Sequence, residues 1–120
     1  EDGCNSFCSY CYVPLVRGRV RSRPAEEIRA EVEHLANNGY REIVLTGIET
    51  GAWGQDFEGK ETLVSLLQSV HETKGLERIR FTSAHPAGCT EELIAAYRDC
   101  PKVCRPKIPK LVQCCYRKPC

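Results

Sequence analysis

Two short runs rich in β-branched and apolar residues, Glu42 to Thr46 and Arg78 to Ser83, constrain this chain more than any other feature, because each is flanked by stretches of helical periodicity. Four to six such residues bounded by turn formers predict buried strands. Ahead of the first, Ile28, Val32 and Leu35 recur at helical spacing. The helix they predict runs from Pro24 to Asn37. Pro24 suits a first helical position, Ser22 or Arg23 precedes it, Glu26 and Glu27 sit in the favourable first turn, and Asn38-Gly39 ends it. Between the strands, Leu63, Leu66, Leu67 and Val70 predict a helix from Thr62 to Thr73, with Gly75 after it. A third helix is expected over Glu91 to Asp99, capped by Thr90 and stopped by Pro101. Strands alternating with helices predict an α/β fold, with parallel strands joined by right-handed crossovers. The first helix needs a strand before it, and that strand would lie upstream of Glu1. In such sheets the functional loops gather at the carboxyl ends of the strands. The loops after Thr46 and Phe81 should therefore share a rim with residues 1 to 23, which read as one long loop.

That loop contains Cys4, Cys8 and Cys11 in the spacing C-x3-C-x2-C, with Tyr10 before the third cysteine. Three thiolates this close can hold three corners of an iron–sulfur cube and leave one iron open to a ligand. Zinc is the competing reading: Cys8 and Cys11 could join Cys100 and Cys104 in a four-thiolate site, leaving Cys4 spare. Purely structural thiols are the third. Nine cysteines in all, with no secretion signal ahead of them, argue against a closed disulfide framework. The 17 basic and 16 acidic residues nearly cancel, so overall charge gives no argument for nucleic acid. Arg17, Arg19, Arg21 and Arg23 alternate, and an extended backbone would align them on one side. Such a row suits phosphates or a carboxylate; ion pairs with Glu26 and Glu27, or plain solvation, would occupy it equally well. Trp53 and Tyr12 read as packing aromatics rather than base-stacking ones.

With Asp2-Gly3-Cys4-Asn5-Ser6-Phe7-Cys8-Ser9-Tyr10-Cys11, Val13-Pro14, Arg17-Gly18-Arg19, Ser22-Arg23-Pro24 and Gly39 through Ile48 in view, the chain resembles the radical S-adenosylmethionine (SAM) enzymes, in particular their methylthiotransferase branch. Thr46-Gly47-Ile48-Glu49 and Trp53-Gly54-Gln55-Asp56 look most like the subgroup acting on threonylcarbamoyladenosine in tRNA. The resemblance implies a partial radical SAM (β/α) barrel over residues 1–104 with its first strand missing, followed by a divergent or irregular tail, 105–120. It implies that Cys4, Cys8 and Cys11 ligate a [4Fe-4S] cluster whose open iron chelates SAM. Tyr10 would pack near the adenine, and Thr46, Gly47 and Glu49 would meet the methionine amino group; Glu49 reads equally well as a solvated loop carboxylate. Ser83 ends a strand on the same rim, where it reads either as a cofactor contact or, at least as well, as a strand-terminal turn serine. His85 reads as structural. The implied reaction is radical insertion of a methylthio group into a modified adenosine next to the tRNA anticodon; one subgroup acts on a ribosomal protein instead. Implied partners are a tRNA anticodon stem-loop, reached through Arg17, Arg19, Arg21 and Arg23, and an electron donor such as flavodoxin or ferredoxin. The sulfur donor is left open, and the expected location is cytoplasmic. A small zinc-binding or cysteine-stabilised interaction module, without catalysis, is the alternative from another class.

The branch also carries an amino-terminal domain with a second cluster and a carboxyl-terminal RNA-binding β-domain, which these 120 residues do not supply. The chain therefore reads as a fragment, with little turnover expected from it alone. The six later cysteines, at positions 89, 100, 104, 114, 115 and 120, match no ligand of the branch.

Overall fold

A computed structural model of the chain describes residues 1–85 and 90–104. The expected tail, with Cys114, Cys115 and Cys120, and the isolated Cys89 lie outside the described residues. The element order is α1 (Val13–Val16), α2 (Ala25–Asn37), β1 (Glu42–Leu45), a 3-10 turn (Thr50–Ala52), α3 (Leu63–His71), β2 (Arg78–Phe81) and α4 (Glu91–Asp99). The architecture is α/β, as the alternation predicts.

β1 and β2 pair in parallel, with Glu42 opposite Arg78, Ile43 opposite Ile79, Val44 opposite Arg80 and Leu45 opposite Phe81. The register puts charge against charge at the strand entrance: Glu42 accepts from Arg78 Nε at 2.6 Å and pairs with Arg80 Nε at 3.0 Å. Further in, it puts apolar against apolar. After α4 the chain returns to the sheet. Ile79 N donates to Lys102 O and Cys104 N to Ile79 O, so Val103 lies parallel to β2 at an isolated bridge. Val103 follows α4 just as β2 follows α3, which is the repeat of a β/α barrel.

α3 carries the apolar stripe that fills the space under the sheet. Leu63, Leu66, Leu67 and Val70 are buried and pack with Val32 of α2, Ile43, Ile79, Phe81, Leu93 of α4, Cys100 and Val103. Burying a Leu- or Val-sized side chain is worth roughly 1.5–3 kcal/mol, so this single cluster dominates the stability of the described residues.

Several expected boundaries move. Pro24 precedes its helix rather than opening it: its ψ of 141° is extended, and Ala25 is the first helical residue. Ser22 does not cap α2, since its Oγ is taken by the N–H of Gly54. Thr62 stands outside α3 as its N-cap and forms a reciprocal capping box with Ser65. That helix then ends at His71, before Thr73. The strands stop at Leu45 and Phe81 instead of running to Thr46 and Ser83. Residues 1 to 23 are not one open loop: α1 interrupts them, and Asp2 and Arg21 exchange two backbone hydrogen bonds, at 3.0 and 2.8 Å, that close the segment at its base. No helix among the described residues is long and apolar enough to cross a membrane.

Candidate cofactor site

The closed segment of residues 2–21 holds the three cysteines. Its base is stitched by the Asp2–Arg21 bridge, by Cys4 N donating to Gly18 O at 3.1 Å and by Val20 N donating to Asn5 Oδ1 at 3.3 Å. Asp2 also accepts from Arg17 at 3.1 Å and Arg21 at 3.2 Å. The Gly3 N–H and the Arg17 guanidinium hold the Asp2 carboxyl below its usual range. The tip is shaped by a turn in which Cys11 N donates to Cys8 O at 3.0 Å, with Ser9 and Tyr10 at the bend.

All three thiols are free. Cys4 is buried and accepts from Ser6 N at 3.3 Å, while Cys8 and Cys11 are partly exposed. Soft thiolates are the donors an iron–sulfur cluster takes, so the donor set fits. Among the described residues no three His, Cys, Asp or Glu side chains converge on one point; the loop presents the donors without gathering them. Cys100, a donor the zinc alternative needs, belongs to the apolar core, where burial pushes its thiol up.

The loop after β1 lies beside the cysteine segment. Glu1 sends its carboxylate to the N–H of Glu49, with both oxygens at 3.1 Å. Gly47 makes room for that approach: a Cβ there would collide with the Glu1 carboxylate. Burial raises the Glu1 carboxyl above its ordinary value despite the bond from Glu49 N. Glu49 is not a solvated loop residue: it is buried, and its Oε1 accepts from His85 N at 2.7 Å. Thr50 Oγ1 donates to Thr82 O, a second tie to the segment after β2. Thr46 is exposed at the end of β1. Ser83 is exposed with φ of 61°, the one positive-φ residue other than glycine among those described. Backbone held in that region by its surroundings is a known mark of functional sites. The cysteine segment, Glu49 and the 82–85 segment are thus linked by hydrogen bonds on one rim. Tyr10 stands at 89% exposure on the turn, and no contact to the β1 loop is among its described interactions.

The arginine row does not form. Gly18, with φ of 78°, breaks the extension between Arg17 and Arg19. Arg17 and Arg21 pair with Asp2, and Arg23 pairs with Glu27 and Glu31. Arg19 has no ion-pair partner among the described residues and lies 4.9 Å from the centre of the Phe7 ring. Of the two aromatics read as packing, Trp53 is buried in the core and Tyr12 is 74% exposed. The loop-to-loop ties end on backbone groups, the N–H of Glu49 and of His85 and the carbonyl of Thr82, which no residue type announces.

A family model of the radical SAM superfamily matches residues 2–109, and the chain belongs to that superfamily. Its members are enzymes, and the cofactors of this chain are a [4Fe-4S] cluster and SAM. Among curated proteins, the chain is 46% identical over 102 residues to a tRNA-2-methylthio-N(6)-dimethylallyladenosine synthase of Clostridium tetani (strain Massachusetts / E88), covering 85% of this chain and 22% of that protein. Similar relatives under the same description occur in Clostridium botulinum (strain Alaska E43 / Type E3), at 47% over 85% of this chain and 22% of the relative, and in Clostridium perfringens (strain SM101 / Type A), at 46% over 85% and 23%. The chain spans under a quarter of the length of these relatives. They place it beside the methylthiotransferase branch of the superfamily.

Proposed function

We propose that the protein containing this chain is a radical SAM tRNA methylthiotransferase that modifies an N6-substituted adenosine next to the anticodon. The observation that carries the reading is a three-thiol segment hydrogen-bonded, through Glu1, to the Thr46–Glu49 loop, in a chain 46–47% identical to enzymes named for that reaction. Cys4, Cys8 and Cys11 are the cluster ligands in this account. When bound, the cluster and SAM supply the radical chemistry; the protein supplies placement and dryness.

Glu49 orients the cofactor's ammonium. One of its oxygens is held by His85 N, and the other has no hydrogen-bond partner among the described residues. Gly47 and Thr46 let the backbone come close, and Ser83 presents its hydroxyl from the end of β2. Tyr10, exposed on the turn, would pack near the adenine. Arg19 is the first phosphate contact for tRNA. Arg17, Arg21 and Arg23 exchange exposed carboxylate partners for phosphates, which costs little because solvent screens such surface pairs. A flavodoxin- or ferredoxin-like donor and a cytoplasmic location complete the reading.

The N6 substituent separates two versions. Thr46-Gly47-Ile48-Glu49 and Trp53-Gly54-Gln55-Asp56 favour threonylcarbamoyladenosine, whereas the relatives carry the dimethylallyl name. A ribosomal-protein substrate is the remaining version within the branch. The test uses the full-length protein with reduced cluster, SAM and anticodon stem-loops bearing each substituent. Methylthio incorporation into the threonylcarbamoyl stem-loop is expected. Incorporation into the dimethylallyl stem-loop alone would move the substrate, and none into either would overturn the reading.

A further inference from the structure

Beyond the residues already assigned, one cluster of contacts has no role in binding or chemistry yet joins the two loops that do. The cysteine segment leaves its base at Arg21, and the next two residues are fastened to the segment after β1 by three hydrogen bonds between groups about thirty residues apart. Ser22 N donates to Asp56 Oδ2 at 2.8 Å, Gly54 N donates to Ser22 Oγ at 2.8 Å, and Trp53 Nε1 donates to Arg23 O at 3.0 Å.

Each partner is itself held. Trp53 is buried in the core and meets Phe57 edge-on, with ring centres 5.5 Å apart. Gly54 is locked at φ of 87° against Glu61 O, where a Cβ would collide. Burial works to raise the Asp56 carboxyl, but the polar surroundings supplied by Ser22 prevail and hold it below its ordinary value. A carboxylate that receives a backbone N–H is a stronger acceptor than a neutral oxygen. The opposite end of the cysteine segment is tied to the same stretch of chain, through Glu1 and Glu49 N. Entry and exit of the thiol-bearing segment therefore dock on residues 49–56.

We infer that Asp56, with Ser22 and the indole N–H of Trp53, is a positioning clasp that sets the cysteine segment in register with the Thr46–Glu49 loop, so that cluster and SAM meet correctly. The inference rests on the reading of Cys4, Cys8 and Cys11 as cluster ligands. Because the segment is closed at its own base by Asp2 and Arg21, releasing the clasp should let it swing as a unit. The thiols would stay together, and their relation to the β1 loop would be lost.

The test compares the full chain, anaerobically reconstituted with iron and sulfide, with Asp56→Ala, Ser22→Ala and Asp56→Asn. Iron content, the electron paramagnetic resonance spectrum of the reduced cluster with and without SAM, and SAM affinity are measured on each. The clasp predicts wild-type iron in all three variants. It predicts SAM affinity about tenfold weaker in Asp56→Ala, which releases the charge-assisted bond from Ser22 N, and about fivefold weaker in Ser22→Ala, which releases the neutral bond from Gly54 N, with a blunted spectral response to SAM in both. In Asp56→Asn, which keeps an acceptor oxygen, most of the affinity returns. SAM affinity within twofold of wild type in Asp56→Ala would overturn the inference. Loss of iron from that variant would overturn it too, by making Asp56 a folding contact. A wild-type chain that takes up no cluster, or whose cluster ignores SAM, would instead sink the reading on which the clasp rests, and the clasp with it.

Discussion

Leu67, Val70 and Ile79 lie wholly out of water at the centre of the strand–helix body, whereas the cysteine segment sends only Gly3, Cys4 and Val20 inward and turns Phe7, Tyr10, Tyr12, Leu15 and Val16 out to solvent. Apolar burial holds the body. Polar stitches hold the segment: Asp2 to Arg17 and Arg21, Asn5 to Val20, and Ser22 to Asp56. The contrast follows from what each part has to do. Burial is non-directional and resists loss of a single contact only through bulk. Hydrogen bonds are directional, so they can fix a loop's orientation while leaving its thiols and aromatics uncovered.

The sharpest attempt to break this comparison is a substitution in the body. Ile79→Ala should cost about 2–5 kcal/mol, since a fully buried side chain between β1 and Val103 leaves a cavity. Urea unfolding of the apo chain measures it, and a loss under ~1 kcal/mol would mean the body is not the stabilising half. Removing the α3 cap comes next. Thr62→Ala should cost roughly 0.5–2 kcal/mol in the same assay, because Ser65 N loses its acceptor.

The stitches should respond to acid and the body should not. Asp2 and Asp56 both have lowered carboxyls. Their contribution is therefore fully present above the ordinary aspartate value near 3.8 and is lost as pH falls through the depressed folded values. Amide exchange at Ser22 N and Arg21 N should accelerate there before that at Leu67; simultaneous acceleration would erase the distinction. The smallest effect belongs to Arg19. Arg19→Gln in the full-length protein should lower the slope of log affinity for tRNA against log salt by about one, and leave folding untouched. An unchanged slope would remove Arg19 from the RNA contact.

The body was legible because periodicity speaks directly of burial. Ile28, Val32 and Leu35, then Leu63, Leu66, Leu67 and Val70, marked the faces that α2 and α3 bury, and Glu91 to Asp99 matches α4 end to end. The third position in the sheet is not legible in the sequence, because Val103 is a single bridged residue between Pro101 and Cys104, without a strand-like run around it. In the segment, residue types named the thiols but not their setting. Alternating arginines suggested a row, yet the chain bends at Gly18, and Asp2, remote in sequence, takes two of them. Glu49 reads as a solvated carboxylate in the sequence because only the fold brings the His85 N–H to its Oε1 and the Glu1 carboxylate to its backbone N–H.

The central claim is that this outward-facing segment, rather than the cysteines of the body, holds the cluster. Anaerobic reconstitution of the 120-residue chain with iron and sulfide, with zinc competing, tests it most directly. The account predicts a brown protein with about four irons per chain, an electron paramagnetic resonance signal that shifts on adding SAM, and loss of both in Cys8→Ala but not in Cys104→Ala. A colourless chain holding stoichiometric zinc, or a cluster that survives Cys8→Ala, would contradict it.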